Sequence, residues 1–257
     1  MDVISTFRLD GKRAFVTGGA AGIGRAVALA LAEAGSDVAI LDVDLDGAEV
    51  VAAQARQMGR RALVVHSDVT DTGEVDMAVS RVAGEFGGLD IAVNNAGIVI
   101  NAPAAEMSDD EWDRVIAVNL RGVFLCARKA GQVMLAQGHG GSIINVSSMS
   151  ARIVVHPQPQ CSYNASKAGV VQLTRSLAAE WAHASIRVNS LSPGYTRTPL
   201  IDSDQLAPLR DRWVTMTPMG RLAEVRDLTG PAVFLASDAA RYVTGHDLVV
   251  DGGYTIW

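Results

Sequence analysis

Apolar and polar positions alternate along the chain in two patterns, which predict strands and helices in turn. Short continuous apolar runs predict strands buried on both faces, at 13–17, 37–42, 61–69, 89–97, 141–148, 186–194 and about 247–250. Longer runs with apolar residues at helical spacing predict helices at 23–35, 45–59, 72–87, about 109–118, 119–137, 161–183 and about 224–236. This alternation favours an α/β fold in which helices cover both faces of one parallel sheet.

The chain of 257 residues contains no Pro/Ser-rich linker and no break in composition, so we expect a single domain over 1–257. The segment 195–222 lacks a repeating pattern and contains three prolines. Long irregular connections are often lids or binding loops, so we predict that this segment is a substrate lid.

Composition excludes several classes of protein. Hydrophobic residues make up 49% of the chain, which excludes a disordered protein. The net charge is −6 and no Lys/Arg cluster indicates a nucleic-acid partner. No apolar run reaches the roughly 18 residues of a membrane span, and the N-terminus lacks the apolar core of a signal peptide. We therefore expect a cytoplasmic protein with two reduced thiols, Cys126 and Cys161, and no metal ligand cluster.

The glycine-rich turn "TGGAAGIG" at 17–24 lies between the first predicted strand and the first predicted helix. Glycine permits positive φ and close approach of the backbone, and a helix N-terminus offers free N–H groups to a pyrophosphate. Gly18, Gly22 and Gly24 with Ile23 are therefore candidate dinucleotide contacts. The alternative is a tight turn that binds no ligand.

Asp42 closes the second predicted strand, where a carboxylate can accept both hydroxyls of an adenosine ribose. It would also repel a 2′-phosphate, and no Lys or Arg lies within 18–24, so NAD is favoured over NADP. The alternative is that Asp42 caps the next helix, although Asp44 and Asp46 are better placed for that role.

Small or polar residues also end the third and fourth predicted strands. In an open parallel sheet, ligands bind at the carboxyl ends of the strands. A dinucleotide lying across these ends would contact Asp68, Val69, Asn95, Ala96 and Gly97.

Tyr163 and Lys167 lie one helical turn apart among small residues, so they share a helix face. A free tyrosine has a pKa near ~10. A nearby ammonium together with a positively charged nicotinamide would favour the phenolate that accepts a proton from an alcohol. The alternative is a surface pair on an amphipathic helix. Two features favour the catalytic interpretation: "NVSSMS" ends the fifth predicted strand and offers Ser147, Ser148 or Ser150 to the substrate oxygen, and Asn119 interrupts a helical run in which asparagine is a poor helix former.

Seven ordered segments resemble the short-chain dehydrogenase/reductase family over essentially the whole chain: "TGGAAGIG", "NNAG", "VNLRG", "INVSS", "YNASK", "RVNSLSPGYTRT" and "VTGHDLVVDGGY". The resemblance implies a Rossmann-type, doubly wound seven-stranded sheet in a three-layer αβα sandwich. It also implies a catalytic tetrad of Asn119, Ser148, Tyr163 and Lys167. It adds cofactor contacts from Tyr163, Lys167, Pro193, Gly194, Thr196 and Thr198, and it implies a homotetramer.

The loop "RIVVHPQPQCS" lengthens the gap between Ser148 and Tyr163 to 15 residues, and with "SSMS" and the terminal "DGGYTIW" it resembles the polyol dehydrogenase branch. An NAD-dependent dehydrogenase of a polyol, a sugar alcohol or a related diol is the leading hypothesis. Candidate substrate contacts are Ser148, Ser150, His156, Gln160, Tyr163 and Tyr195. The alternatives are a 3-oxoacyl-thioester reductase and a non-catalytic NAD-binding sensor or scaffold, and the presence of both Tyr163 and Lys167 argues against the latter.

Overall fold

The computed structural model of the chain describes residues 2–199, 201, 202 and 204–257. Within them the strands are β1 Arg13–Thr17, β2 Asp37–Asp42, β3 Ala62–His66, β4 Ile91–Asn94, β5 Gly141–Val146, β6 Ile186–Pro193, β7 Thr196–Arg197, β8 Ala223–Glu224 and β9 Asp247–Val250. The α-helices are α1 Gly22–Glu33, α2 Leu45–Gln57, α3 Thr72–Phe86, α4 Asp109–Ile116, α5 Val123–Gln137, α6 Cys161–Trp181, α7 Arg210–Met216 and α8 Thr229–Ala236.

Seven of these strands form one parallel sheet in the order β3-β2-β1-β4-β5-β6-β9. The register pairs Val16 with Ile40 on one side of β1 and with Val93 on the other. The strand order reverses between β1 and β4, and in sheets of this kind ligands bind outside that switch point. The fold is therefore the predicted Rossmann-type three-layer αβα sandwich.

Two separate cores flank the sheet, because continuous apolar strands present side chains to both faces. On one face, Val16, Ile40 and Ile144 pack with side chains of α1, α2 and α8. On the other, Phe15 and Ile143 pack with side chains of α3, α5 and α6. The sheet is thereby held rigidly, and the ends of its central strands are fixed in space.

Helix starts follow local capping chemistry. The Asp44 carboxylate accepts a hydrogen bond from the N–H of Gly47 at 3.0 Å and so begins α2. Ser108 and Glu111 form a reciprocal capping box at the start of α4. Because each cap satisfies backbone N–H groups that would otherwise lack a partner, it fixes where the helix begins. The prediction that Asp44 rather than Asp42 caps the second helix is confirmed.

Several predicted boundaries differ from those of the structure. Strands predicted at 61–69, 89–97 and 141–148 end earlier, at His66, Asn94 and Val146. Single backbone bonds continue past two of these ends, because the N–H of Ser67 donates to the Asp42 carbonyl at 3.2 Å and that of Ser147 to the Leu191 carbonyl at 2.8 Å. The N–H of Asn95 instead donates to the Thr17 hydroxyl at the end of β1, at 3.0 Å. The predicted helix at 224–236 begins as a 3-10 turn over Val225–Leu228 before α8.

The segment 195–222, predicted to be irregular, contains β7 and the helix α7. Thr196 of β7 pairs with Ala223 of β8, which closes the base of this segment. Trp213 of α7 is fully buried and fixes the helix to the body of the protein. Leu200 and Ser203 of this segment lie outside the described residues.

Candidate active site

A cavity of about 490 Å³ opens at the carboxyl ends of β1, β4, β5 and β6. The sequence-predicted residues that line it are Gly18, Gly22, Ile23, Asn95, Ala96, Gly97, Ser148, Ser150, Gln160, Tyr163, Lys167, Pro193, Gly194, Tyr195, Thr196 and Thr198. Six other candidates, Gly24, Asp42, Asp68, Val69, Asn119 and His156, do not line it. Residues more than 100 positions apart in sequence therefore share one cleft.

The glycine-rich turn wraps tightly between β1 and α1. Gly18 has φ +61°, and a Cβ at this position would lie 2.9 Å from Ala96 Cα. A Cβ at Gly24 would lie 2.1 Å from the carbonyl oxygen of Gly18. Since neither position has room for a side chain, the sequence of glycines is required by the turn itself.

The side chain of Asn95 holds this turn in place. Its amide Nδ2 donates to the carbonyl oxygens of Thr17 and Gly18, at 3.1 and 3.0 Å. A Cβ added at Gly22 would point toward Thr198, at 3.5 Å from its methyl group, and both residues line the cavity. The cradle between the turn and Thr198 therefore has the shape and the helix N-terminus that a pyrophosphate needs.

Asp42 lies beside the turn at the end of β2. Its Oδ2 accepts the N–H of Ala20 at 2.9 Å, and its Oδ1 accepts the N–H of Asp44 at 3.0 Å. These contacts place the carboxylate next to the glycine turn, where it can meet an adenosine ribose. The glycine turn and Asp42 thus fit the pyrophosphate and the ribose of a nicotinamide dinucleotide.

Asp68 and Val69 follow β3 farther along the same edge. Asp68 is exposed, and its Oδ1 accepts hydrogen bonds from the N–H and the hydroxyl of Thr70, both at 2.8 Å. Val69 is buried, and a Cβ at Gly122 would lie 2.8 Å from its Cγ2 atom. Both positions are compatible with the adenine end of a dinucleotide, which stays a prediction.

Asn119 lies in a π-helical turn, Ala117–Gly122, that separates α4 from α5. Such turns are rare, and they frequently occur at functional sites. The amide of Asn119 accepts the N–H of Ile98 and donates to the carbonyl of Ile98, both at 2.8 Å, and it also donates to the Ser166 hydroxyl at 3.2 Å. Asn119 therefore fixes the loop segment at Ile98, directly after Gly97, against Ser166 of α6.

Lys167 and Tyr163 lie on the same face of α6, as predicted. Lys167 Nζ lies 5.6 Å from the centre of the Tyr163 ring and donates a hydrogen bond to the Val146 carbonyl at 2.9 Å. Burial lowers the pKa of Lys167 to about 8. Burial also raises the pKa of Tyr163, and a hydrogen bond with Ser148 opposes that shift. The chain alone therefore keeps the phenol protonated. The phenolate was expected from Lys167 together with a positively charged nicotinamide, and that expectation stays a prediction.

The serines after β5 divide their roles. The Ser147 hydroxyl donates to the Lys167 carbonyl at 2.9 Å, so it points toward α6. The Ser148 hydroxyl accepts the N–H of Ser150 at 3.1 Å and lines the cavity together with Tyr163. Of the two adjacent serines, Ser148 is therefore the one whose hydroxyl can meet a substrate oxygen.

His156, which was predicted to contact substrate, is exposed and does not line the cavity. Gln158, two residues later, lines it instead, and its Oε1 accepts a hydrogen bond from the Tyr195 hydroxyl at 2.6 Å. Sequence reasoning missed Gln158 because nothing local indicates which polar residues of a proline-rich loop face inward. The Tyr195 ring stacks on Trp213 with centroids 4.1 Å apart and meets Tyr254 edge-on at 5.5 Å. This contact joins the loop, α7 and the C-terminal segment.

No group of three or more His, Cys, Asp or Glu side chains that could hold a metal ion occurs among residues 2–199, 201, 202 and 204–257. In the part of the chain that the structure describes, no helix is long and apolar enough to span a bilayer.

Comparison with known proteins places this fold and site in a family. A model described as enoyl-(acyl carrier protein) reductase matches residues 18–255. The chain is 44% identical to a D-threitol dehydrogenase of Mycolicibacterium smegmatis, over 97% of this chain and 95% of that protein. It is also 44% identical to a galactitol 2-dehydrogenase (L-tagatose-forming) of Cereibacter sphaeroides, over 100% of both. The chain belongs to the short-chain dehydrogenase/reductase family, and it is an oxidoreductase of the alcohol dehydrogenase type.

Solved structures agree with this assignment. A short-chain type dehydrogenase/reductase from Mycobacterium marinum superposes with a TM-score of 0.96 at 45% identity, and the match covers 99% of both chains. A gluconate 5-dehydrogenase from Burkholderia cenocepacia, in complex with NADP and tartrate, superposes with a TM-score of 0.92 at 38% identity and covers 100% of both chains. The similar proteins therefore include an NADP complex, so similarity alone does not decide between NAD and NADP.

Proposed function

We propose that the chain is an NAD-dependent dehydrogenase that interconverts a secondary alcohol group of a neutral polyol, sugar alcohol or diol with the corresponding ketone. The observation that carries this proposal is the shared cavity wall of Ser148, Tyr163 and Lys167 beside the glycine-rich turn. Threitol and galactitol dehydrogenases at 44% identity support the substrate class.

The cofactor is bound in this proposal by the glycine turn, by Asp42 and by Thr196 and Thr198. The nicotinamide supplies the hydride acceptor of the oxidation when it is bound. Asp42 supports NAD, because its carboxylate lies beside the turn and would repel a 2′-phosphate. In this proposal the adenine and ribose side of the cofactor lies against Asp68, Val69, Asn95, Ala96 and Gly97. The nicotinamide side lies against Pro193 and Gly194.

Tyr163 is the general acid/base of the reaction. In the oxidation its phenolate accepts the proton of the substrate hydroxyl, and in the reverse reaction its phenol donates that proton to the carbonyl oxygen. Ser148 positions the same oxygen by a second hydrogen bond. Because burial raises the pKa of Tyr163, positive charge near the ring is needed for it to accept a proton. Lys167 supplies part of that charge at 5.6 Å from the ring while protonated. Asn119 fixes the Ile98 backbone beside this group.

The segment 195–222 serves as the lid of the substrate site in this proposal, within the single domain formed by 1–257. Pro199, Ile201 and Leu206 of this segment line the cavity together with the proposed catalytic residues. We further propose a cytoplasmic homotetramer. Its support is partly exposed apolar surface on α4 and α5, where Trp112, Phe124 and Leu135 are 38%, 38% and 40% exposed.

The test is a spectrophotometric assay of NAD and NADP reduction with threitol, galactitol, arabinitol, mannitol and xylitol. We expect at least one polyol to be oxidised with NAD, at about tenfold or more higher kcat/KM than with NADP. Higher activity with NADP would overturn the cofactor assignment. The description of the matching family model makes an acyl-thioester reductase the second candidate. Faster NADPH-dependent reduction of acetoacetyl thioester, as a 3-oxoacyl substrate, or of crotonyl thioester, as an enoyl substrate, than of any ketose would establish that alternative.

A further inference from the structure

The substrate end of the cavity contains two glutamine side chains, and each amide uses only one of its two polar atoms in hydrogen bonds. Gln160 Nε2 donates to Ser150 Oγ at 3.4 Å and to Asn164 Oδ1 at 3.1 Å. Gln158 Oε1 accepts the hydrogen bond from the Tyr195 hydroxyl at 2.6 Å. Among the described residues, Gln160 Oε1 and Gln158 Nε2 have no hydrogen-bond partner. The cavity wall therefore offers one free acceptor and one free donor.

Charge is nearly absent from this wall. Among the described residues that line the cavity, Lys167 is the one basic residue, and none is Asp or Glu. Its ammonium already donates to the Val146 carbonyl, and a Cβ at Gly97 would lie 3.5 Å from it, at the proposed cofactor end. An anionic group at the substrate end would thus lose its hydration without gaining a cationic partner, which is unfavourable.

The Tyr195 ring is held in place by its neighbours. It lies between Trp213, stacked at 4.1 Å, and Tyr254, edge-on at 5.5 Å. Burial raises the pKa of Tyr195, so its hydroxyl stays protonated and can donate to Gln158. Tyr195 is therefore a positioning residue that holds the Gln158 amide with its nitrogen free.

A hydroxyl group both donates and accepts hydrogen bonds, whereas a carboxylate only accepts them. A polyol can therefore satisfy both free amide atoms, and an aldonate would place its charge near the Gln160 oxygen with no cation at hand. We propose that Gln158 and Gln160 select a neutral polyol over the corresponding aldonate, by binding hydroxyl groups remote from the reacting carbon. This inference rests on the proposed dehydrogenase function.

The first test compares matched substrates: D-threitol with D-threonate, galactitol with galactonate, and 2-butanol as a secondary alcohol without remote hydroxyls. The wild-type enzyme is expected to have at least about tenfold higher kcat/KM for the better polyol than for its aldonate. Equal or better turnover of the aldonate would overturn the inference while leaving the dehydrogenase function intact.

The second test replaces the free donor. Gln158→Glu keeps an oxygen that accepts from Tyr195 and, when ionised, has no donor in place of Nε2. In assays at about pH 9 the ratio of kcat/KM for the polyol over that for 2-butanol should therefore fall about tenfold or more. Gln158→Lys should instead lower the ratio of kcat/KM for the polyol over that for the aldonate, because it places a cation near the aldonate carboxylate. Gln172→Glu is the matched control, because Gln172 is exposed on α6. If Gln158→Glu and Gln172→Glu behave alike on the polyol, the assignment of Gln158 is wrong.

The third test addresses Tyr195. Tyr195→Phe keeps the ring that packs on Trp213 and removes only the hydroxyl. We expect KM to rise more for the polyol than for 2-butanol, so that the ratio of kcat/KM for the polyol over that for 2-butanol falls about tenfold. Loss of activity on 2-butanol as well would mean a general structural role and would contradict positioning of Gln158. Complete absence of alcohol oxidation by the wild type would overturn the proposed function, a result distinct from any of the selective changes above.

Discussion

The Asn119 side chain and the Ile98 backbone are joined by two hydrogen bonds of 2.8 Å, one in each direction. The π-helical turn between α4 and α5 contains Asn119, which is fully buried. The amide thus takes the place of a neighbouring strand for Ile98, directly after Gly97 in the cavity wall. This contact connects a local irregularity of the helix to the shape of the site.

Asn119→Leu should destabilise the protein, because the half-buried N–H and carbonyl of Ile98 would both lose their partner. The expected loss is about 2–4 kcal/mol in the free energy of unfolding, measured by urea denaturation. Asn119→Asp retains an acceptor for the Ile98 N–H and loses the donors, so its loss should be smaller. An Asn119→Leu protein as stable as the wild type would contradict this account of the turn.

Tyr163→Phe should lower kcat/KM for alcohol oxidation by about 10²- to 10⁴-fold, because the proton of the substrate oxygen loses its acceptor. Binding of NADH, measured by fluorescence titration, should stay close to the wild-type value. Tyr242→Phe is the control, since Tyr242 is fully exposed. Substantial residual turnover in Tyr163→Phe would exclude this residue as the general acid/base.

Asp42→Asn should shift the cofactor preference toward NADP. The single amide oxygen can keep only one of the two N–H groups, of Ala20 and Asp44, that the carboxylate accepts, while the charge that repels a 2′-phosphate is removed. We expect the ratio of kcat/KM for NAD over NADP to fall about 10- to 100-fold. Asp46→Asn, on the exposed first turn of α2, should leave the ratio unchanged. An unaltered ratio in Asp42→Asn would remove the basis for NAD specificity.

Lys167→Met should change the pH dependence of stability. Burial lowers the pKa of Lys167 to about 8, so the folded state binds this proton less tightly than the unfolded chain, whose lysine pKa is ~10.4. The resulting penalty is greatest below the folded pKa and is relieved as pH rises from about 8 toward ~10.4. The variant should therefore lose a rise in stability on the order of 2 kcal/mol between pH 7 and pH 9.5, measured by urea denaturation at both. Lys129→Met controls for the loss of a lysine. The same change in stability with pH in the Lys167→Met and wild-type proteins would contradict the conclusion that burial lowers the pKa of Lys167.

The sheet was predictable because its strands are continuous apolar runs, a pattern typical of strands buried on both faces of a parallel sheet. The lengths of the strands were less predictable. Residues such as Asn95 continue an extended pattern, but the N–H and side-chain amide of Asn95 donate hydrogen bonds to Thr17 at the end of β1. Tyr163 and Lys167 were predictable because a helix places i and i+4 on one face. Their electrostatics were not, because the pKa values depend on burial by distant segments.

The substrate loop marks the limit of sequence reasoning. His156 and Gln158 are both polar residues beside prolines, and local pattern does not distinguish them. The Tyr195 hydroxyl, 37 positions farther along, accounts for the inward position of Gln158. Helix α7 was missed for a similar reason, since burial of Trp213 against Tyr195 holds it rather than a repeating apolar stripe.

The order of strands in the sheet divides the active site between two parts of the chain. The cofactor turn and Asp42 come from β1 and β2, whereas Ser148 and Tyr163 follow β5, on the other side of β4. A backbone break at Gly138–Gly140, between α5 and β5, would leave the cofactor turn and Asp42 on one fragment and Ser148 and Tyr163 on the other. Neither fragment should oxidise an alcohol alone, and recovery of turnover on mixing would report reassembly of β4 against β5. The enzyme could therefore be converted into a sensor of the proximity of two fused partners.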